Sequence, residues 1–202
     1  MSEYTIRPLE PATWDAFVQL GNKHNGVWNG CWCNSFHPRP PEQYRGWEGS
    51  RDYKKSLVCS GIAHAALVFD ADAAVGWCQY GTPAELPNIY HRREYEAGMT
   101  EPPDFRITCF FVDRDYRRRG VATAALAGAL DLIAAAGGGL VEAYPQDVAG
   151  KKTSASFLYN GTRSMFEQAG FTYLRPKGKN HCVMSRVVAP VRAGRAATPR
   201  PD

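Results

Sequence analysis

The stretch from residue 106 to 145 constrains the fold more than any other. Ile107-Thr108-Cys109-Phe110-Phe111-Val112 is apolar, rich in β-formers and of strand length. Arg117-Arg118-Arg119-Gly120-Val121-Ala122 follows, opening an Ala- and Leu-rich run that continues to about residue 136. Within it Ala122, Leu126, Ala129, Leu130 and Ile133 recur at helical spacing and predict a helix over 119–136 with one apolar face. Gly137-Gly138-Gly139 stops that helix, Leu140-Val141-Glu142-Ala143-Tyr144 begins a second strand, and Pro145 ends it. A strand, a helix and a strand in succession imply a parallel pair joined by a right-handed crossover.

The turn inside this unit has its own chemistry. The first N–H groups of a helix have no internal partner, and the helix dipole adds about half a positive charge at that end. Three Arg side chains and one Gly at that place make a site suited to phosphate. A bare Gly at 120 and a methyl at 122 let the backbone approach a diphosphate closely.

Around this unit the chain reads as a mixed α/β layout. A strand is predicted over 3–9 and a helix from Pro11 carrying Trp14, Phe17, Val18 and Leu20. Residues 22–41 are irregular, and a second helix spans 41–59. Two apolar runs, 63–69 and 74–80, flank Asp70-Ala71-Asp72 and predict a β-hairpin. A short helix is expected over 90–97, a long one over 155–168, and strands over 171–174 and 182–187.

Two motifs share a family resemblance. The spacing Arg-x-x-Gly-x-Ala at 117–122 resembles the pyrophosphate loop of the GNAT superfamily, the acyl-CoA-dependent N-acyltransferases. Phe166-Glu167-Gln168-Ala169-Gly170-Phe171 resembles that family's late Tyr-Glu-x-x-Gly-Phe block, and the order of elements resembles it over roughly residues 3–187. The resemblance implies a single-domain α/β fold over 1–188, with a mixed central sheet flanked by helices and a splayed parallel strand pair at the CoA site. It implies acetyl-CoA as co-substrate, no metal, and an amine acceptor, either a small molecule or a peptide, acetylated by direct attack. Carried over residue by residue, it assigns the CoA phosphates to Arg117, Arg118, Arg119, Gly120, Val121, Ala122 and Thr123. It gives pantetheine to the main chain of Phe110 and Val112, with Asn160 nearby. Pairing of chains is common in the family, so a homodimer is an expectation.

The sequence departs from the family at Phe166, which stands where many members have a Tyr able to reprotonate the leaving thiolate. Phe166 reads as core packing. Tyr159, seven residues upstream and expected two turns away on the same helix face, would replace that Tyr only if the substrate geometry differs. An inactive CoA-binding module is therefore an alternative to a working enzyme. Glu142 and Tyr144 point to one face of their strand, and a buried carboxyl is able to act as base near neutrality. Glu142 is thus the leading base, with a structural ion pair as its other reading; Asp113, at a strand end, suits a turn.

Trp28-Asn29-Gly30-Cys31-Trp32-Cys33 is the oddest local feature. Cys31, Cys33 and His37 form a poor zinc pattern, because structural zinc sites favour Cys-x2–4-Cys pairs and four ligands. A metal-stabilised interaction protein is the third reading. Trp28, Trp32 and Phe36 are expected to wall an acceptor cleft. The acidic residues Glu85, Glu94, Glu96, Glu101 and Asp104 read as a solvated face that would otherwise favour a cationic amine.

Composition excludes other classes. Net charge is +4, with Arg192, Arg195 and Arg200 in the tail, so the folded part is near neutral and lacks a nucleic-acid footprint. No run reaches the roughly 20 apolar residues of a membrane span. No secretory signal opens the chain, so a cytoplasmic protein with reduced thiols is expected. Residues 189–202, rich in Pro, Ala and Arg, are expected to be a disordered tail.

Overall fold

The computed structural model describes residues 4–27, 29–147 and 155–191. Seven strands form one sheet: β1 (Thr5–Pro8), β2 (His64–Asp70), β3 (Ala73–Gly81), β4 (Phe105–Val112), β5 (Gly139–Ala143), β6 (Thr172–Lys177) and β7 (His181–Val188). Their order is β1-β2-β3-β4-β5-β7-β6. The β4–β5 pair is parallel, as the strand–helix–strand succession requires, and the other neighbours are antiparallel.

Helices cover both faces. On one lies α4 (Val121–Ala135), whose Ala125, Leu126, Ala129 and Ile133 pack onto Val68, Val75, Ile107 and Val141. Leu126 and Ile133 are almost wholly buried, and each such side chain is worth about 1.5–3 kcal/mol. On the other face lie α1 (Trp14–Lys23) and α2 (Gly46–Cys59). Their Phe17, Leu20, Tyr53 and Leu57 meet Leu67, Phe69 and Trp77. A short α3 (Arg92–Ala97) and α5 (Arg163–Gln168) complete the set.

Four expectations need correction. The helix read over 155–168 is two pieces, a 3-10 stretch at Ala155–Asn160 and α5. Gly161 between them sits at φ +74, and the extended Thr162 caps α5, its hydroxyl accepting from the Met165 N–H at 3.3 Å. Tyr159 and Phe166 therefore do not share one helix face. The helix read from 119 begins at Val121, because Arg118 and Gly120 are both left-handed. The helix read over 41–59 starts as α2 only at Gly46, after a 3-10 turn at Glu42–Tyr44. At the other end, the tail takes a defined path as far as Val191, whose N–H donates to the Ala134 carbonyl at 3.0 Å; residues 192–202 lie outside the described residues.

The feature that positions the site is the parting of β4 and β5. Their pairing runs Phe105–Val141, Arg106–Glu142 and Ile107–Ala143 and goes no further. After Ala143 the chain turns away through Tyr144 and Pro145, and Gln146 bridges to Thr162 and His181 instead. Just beyond the last pair β4 holds an extra residue: Gln79 faces Cys109, but Tyr80 faces Ile107, which leaves Thr108 as a bulge. Bulges bend a strand and re-aim its groups.

Candidate active site

The gap between β4 and β5 is lined by main chain. Asn160 Nδ2 donates to the Thr108 carbonyl at 2.7 Å, bringing the Ala155–Asn160 turn over the gap. The Asp113 N–H goes the other way, to the Val75 carbonyl on β3 at 2.9 Å. Strand groups alternate, so the N–H and C=O of Val112 and Phe110 face the gap. The Phe110 side chain turns away from it and packs against Phe166, which touches Phe171 in turn. Phe166 is fully buried and serves as core.

At the far end of β4, a turn capped by Asp113 leads into the Arg loop. Lys23 clamps that turn, donating to Asp113 at 2.8 Å and Asp115 at 2.7 Å. Burial raises the Asp113 carboxyl, but the bond from Lys23, the Asp115 N–H and the nearby Lys23 and His24 charges together outweigh it and leave it below its usual range. Asp113 thus has the turn role its place at a strand end predicts. Arg117, Arg118, Arg119, Gly120 and Thr123 are exposed, Ala122 is half-buried and Val121 is buried under the sheet. Gly120, at φ +80, has nothing within 4 Å on its Cβ side, and no side chain caps the first turn of α4.

At the near end lies a cavity of about 210 Å³. It is lined by Tyr144, Tyr159, Asn160 and Phe36, by Ile89, Tyr90 and His91 of the connection before β4, and by Lys177 and His181 of β6 and β7. Behind Tyr144 sits Glu142, 2% exposed. Its Oε2 accepts the Tyr95 hydroxyl at 2.6 Å and the Tyr144 hydroxyl at 3.0 Å. Arg106, its neighbour across the strand pair, stacks its guanidinium 5.6 Å from the Tyr95 ring and donates to the Leu86 carbonyl. Glu142 is held by two phenols, and no Arg or Lys ion pair to it occurs among the described residues. Burial, with the Glu142 charge second, pushes the Tyr144 phenol well above its usual range. Burial also lifts Tyr159 to about 12. Both hydroxyls keep their protons at neutral pH.

Phe36 lines the cavity, whereas Trp32 is fully buried, its ring against Phe17 and Trp47 in the core under α1. Trp28 lies outside the described residues. The Cys segment divides among separate environments. Cys31 meets Ser35, Cys33 meets Cys109 at 2.9 Å, and His37 binds the Glu85 carbonyl and the Lys54 amine. No group of three or more His, Cys, Asp or Glu able to hold a metal occurs among the described residues. Lys54 is buried and also donates to Gln79 at 2.7 Å. Burial lowers His37 to about 2 and Lys54 to about 8.

The acidic residues of the connection do not line the cavity either. Glu85 binds Thr82 and His64, Glu96 binds Arg92, Asp104 binds the Leu140 N–H, and Glu94 accepts from the Gly178 N–H. The connection's contribution to the cavity is Ile89, Tyr90 and His91. Tyr95, Lys177, His181 and His91 are site residues the sequence did not reveal as such. Tyr95 is the one buried position of a polar helix, and Lys177 ends a strand with an exposed-first pattern; neither stands out without its neighbours.

Comparison with known proteins agrees with this architecture. The family model for the acetyltransferase (GNAT) family matches residues 26–152. The fold is similar to that of a histone acetyltransferase HPA2 and related acetyltransferase from Corynebacterium glutamicum, at TM-score 0.54 and 15% identity over 95% of this chain and 98% of that one. It is also similar to an N-acetyltransferase from Staphylococcus aureus, at TM-score 0.51 and 11% identity over 93% and 99% of the two chains. A ribosomal-protein-S5-alanine acetyltransferase from Vibrio fischeri gives TM-score 0.51 and 13% identity over 93% and 94%. No curated protein matches the chain in sequence. The matched family model, spanning most of the chain, and the parted parallel strands beside an Arg-Gly loop lead to one conclusion: the chain belongs to the GNAT family of acetyltransferases.

Proposed function

We propose that the chain transfers the acetyl group of acetyl-CoA to an amine by direct attack, with the thioester in the β4–β5 gap and the amine in the cavity. One observation carries this reading: Asn160 and Tyr144 border both spaces, so a bound thioester and an amine in the cavity meet there. The family uses acetyl-CoA as co-substrate, and the residues present suit it. The loop offers three exposed guanidinium groups, an open Gly120 and uncapped helix N–H groups to a diphosphate. Val121, Ala122 and Thr123 supply those N–H groups. When bound, acetyl-CoA supplies an acyl group already activated as a thioester.

The residues then divide the work. The gap-facing N–H of Phe110 holds the oxygen on which charge develops; such a donor is typically worth about 2.7–4 kcal/mol of barrier. Val112 and Asn160 fix the pantetheine arm. Tyr144 meets the amine and takes its proton as it gives its own to Glu142, while the C–N bond forms. Tyr159, still protonated at neutral pH, returns a proton to the sulfur as the C–S bond breaks. Phe36 packs against the body of the acceptor.

The first test is calorimetric titration with acetyl-CoA, followed by a thiol-release assay over a panel of amines. We expect saturable binding near one per chain and amine-dependent release without an acetylated enzyme. A folded sample that binds no acetyl-CoA sinks the reading; an acetyl group trapped on the protein sinks the direct attack.

A further inference from the structure

The cavity carries a charge pattern that bears on the acceptor, and the inference rests on the reading just given. Three basic side chains converge on it: Lys177, His181 and His91. Among the described residues that line it, none is acidic. Lys177 is 4% exposed, yet its amine has no ion pair or hydrogen bond among the described residues. It lies over the Tyr144 ring, 5.3 Å from the centroid. The carboxylate that acts on it, Glu94, is exposed and spends Oε1 on the Gly178 N–H. Burial lowers the Lys177 amine to about 8, with Glu94 opposing. Burial lowers His181 too, with Lys177 and His91 adding to the effect.

Such an arrangement is costly when empty. Like charges that face one another disfavour their own charged forms, and a buried cation without a partner loses its hydration. The cost is recovered when an anion enters. The pattern also poses a problem for the reaction, because a cationic amine is repelled by a basic cavity. A carboxylate on the acceptor removes that repulsion while leaving the amine in surroundings that favour its neutral, nucleophilic form. Size narrows the choice further, since about 210 Å³ is below the roughly 300 Å³ at which pockets for drug-sized ligands begin.

We propose that the acceptor is a small amine carrying a carboxylate, bound with the carboxylate on Lys177 and His181 and the amine against Tyr144. That chemistry has two sources: the α-carboxylate of a free amino acid, or the acidic side chain of a peptide's first residue. In either case the new bond is the amide C–N, the broken one is the thioester C–S, and the amine proton leaves through Tyr144.

The experiment uses the full chain and matched pairs of acceptors. Phenylalanine and methionine are each set against their carboxamides, and peptide amides beginning with Asp or Glu against those beginning with Asn or Gln. Thiol release with saturating acetyl-CoA reads turnover; the thermal shift given by each acceptor reads binding without turnover. We expect the carboxylate member of at least one pair to be favoured tenfold or more in kcat/KM, and to raise the melting temperature where its partner does not. The pair that responds identifies the source. Lys177→Met should abolish the preference mainly through KM, and Lys177→Arg should keep it. Equal or better performance by the neutral members overturns the inference while transfer itself stands. If no amine releases thiol, transfer fails, and the thermal shifts alone decide the anion site: a carboxylate-specific rise lost in Lys177→Met supports it, and no such rise overturns it.

Discussion

Glu142 is the residue whose role separates a working enzyme from a binding module. Its carboxylate touches Tyr95 and Tyr144 but does not line the cavity, so any proton reaching it passes through the Tyr144 hydroxyl. Glu142→Gln keeps an acceptor oxygen and removes the base. A positioned base contributes about 10²–10⁴-fold, so kcat should fall by that order with KM little changed. An unaltered kcat in steady-state assays would assign Glu142 to structure alone. A second residue-scale prediction concerns acid. Burial holds His37 neutral down to about 2, whereas in the unfolded chain it takes a proton below about 6.5. The unfolded state then binds more protons, so stability falls as pH falls through that window. Between pH 6.5 and 5 the loss from this group is about 2 kcal/mol. Denaturant melts across that range should show it, and His37→Asn should flatten the slope.

At the scale of elements, the Arg loop and the strand before it were legible because both are local. An apolar run, a Gly and an Ala-rich helix dictate β4 and α4 almost independently of the rest, and the parallel pairing with β5 follows from handedness. The break at Gly161 was not legible, since residues 155–168 have helical composition and only the left-handed Gly161 and the Thr162 cap divide them. Trp32 was misread for the opposite reason. Its loop has no period, so nothing local says which aromatic faces inward. The basic lining was hidden because Lys177 and His181 reach the cavity from strands far along the chain. The prediction at this scale tests the loop. Gly120→Glu puts a negative side chain into the open space of the phosphate site and an L residue at φ +80. Acetyl-CoA affinity should drop at least 100-fold by calorimetry, in a variant whose circular dichroism shows it folded. Retained affinity would move the phosphate site elsewhere.

On the scale of the whole molecule, the sheet is divided at the β4–β5 boundary into two parts that remain joined by three residue pairs and α4. One part carries α1 and α2, the other β6 and β7. A ligand lying in the gap touches both, so acetyl-CoA should stabilise the fold as one unit. At a hundredfold excess over Kd the gain is about 2.7 kcal/mol, or a rise of about 5–11 °C for a chain of this size. A scan with no rise, at a concentration calorimetry shows to be saturating, would mean that binding does not bridge the halves. The same parting leaves a signature within a single strand. Asp113 and, by alternation, Phe111 donate their amides to β3, while those of Phe110 and Val112 face the gap. Deuterium should therefore enter β4 in alternation, slowly at 111 and 113 and quickly at 110 and 112. Adding acetyl-CoA should slow the fast pair and leave the slow pair as it was, turning a comb of exchange rates into a uniform strand.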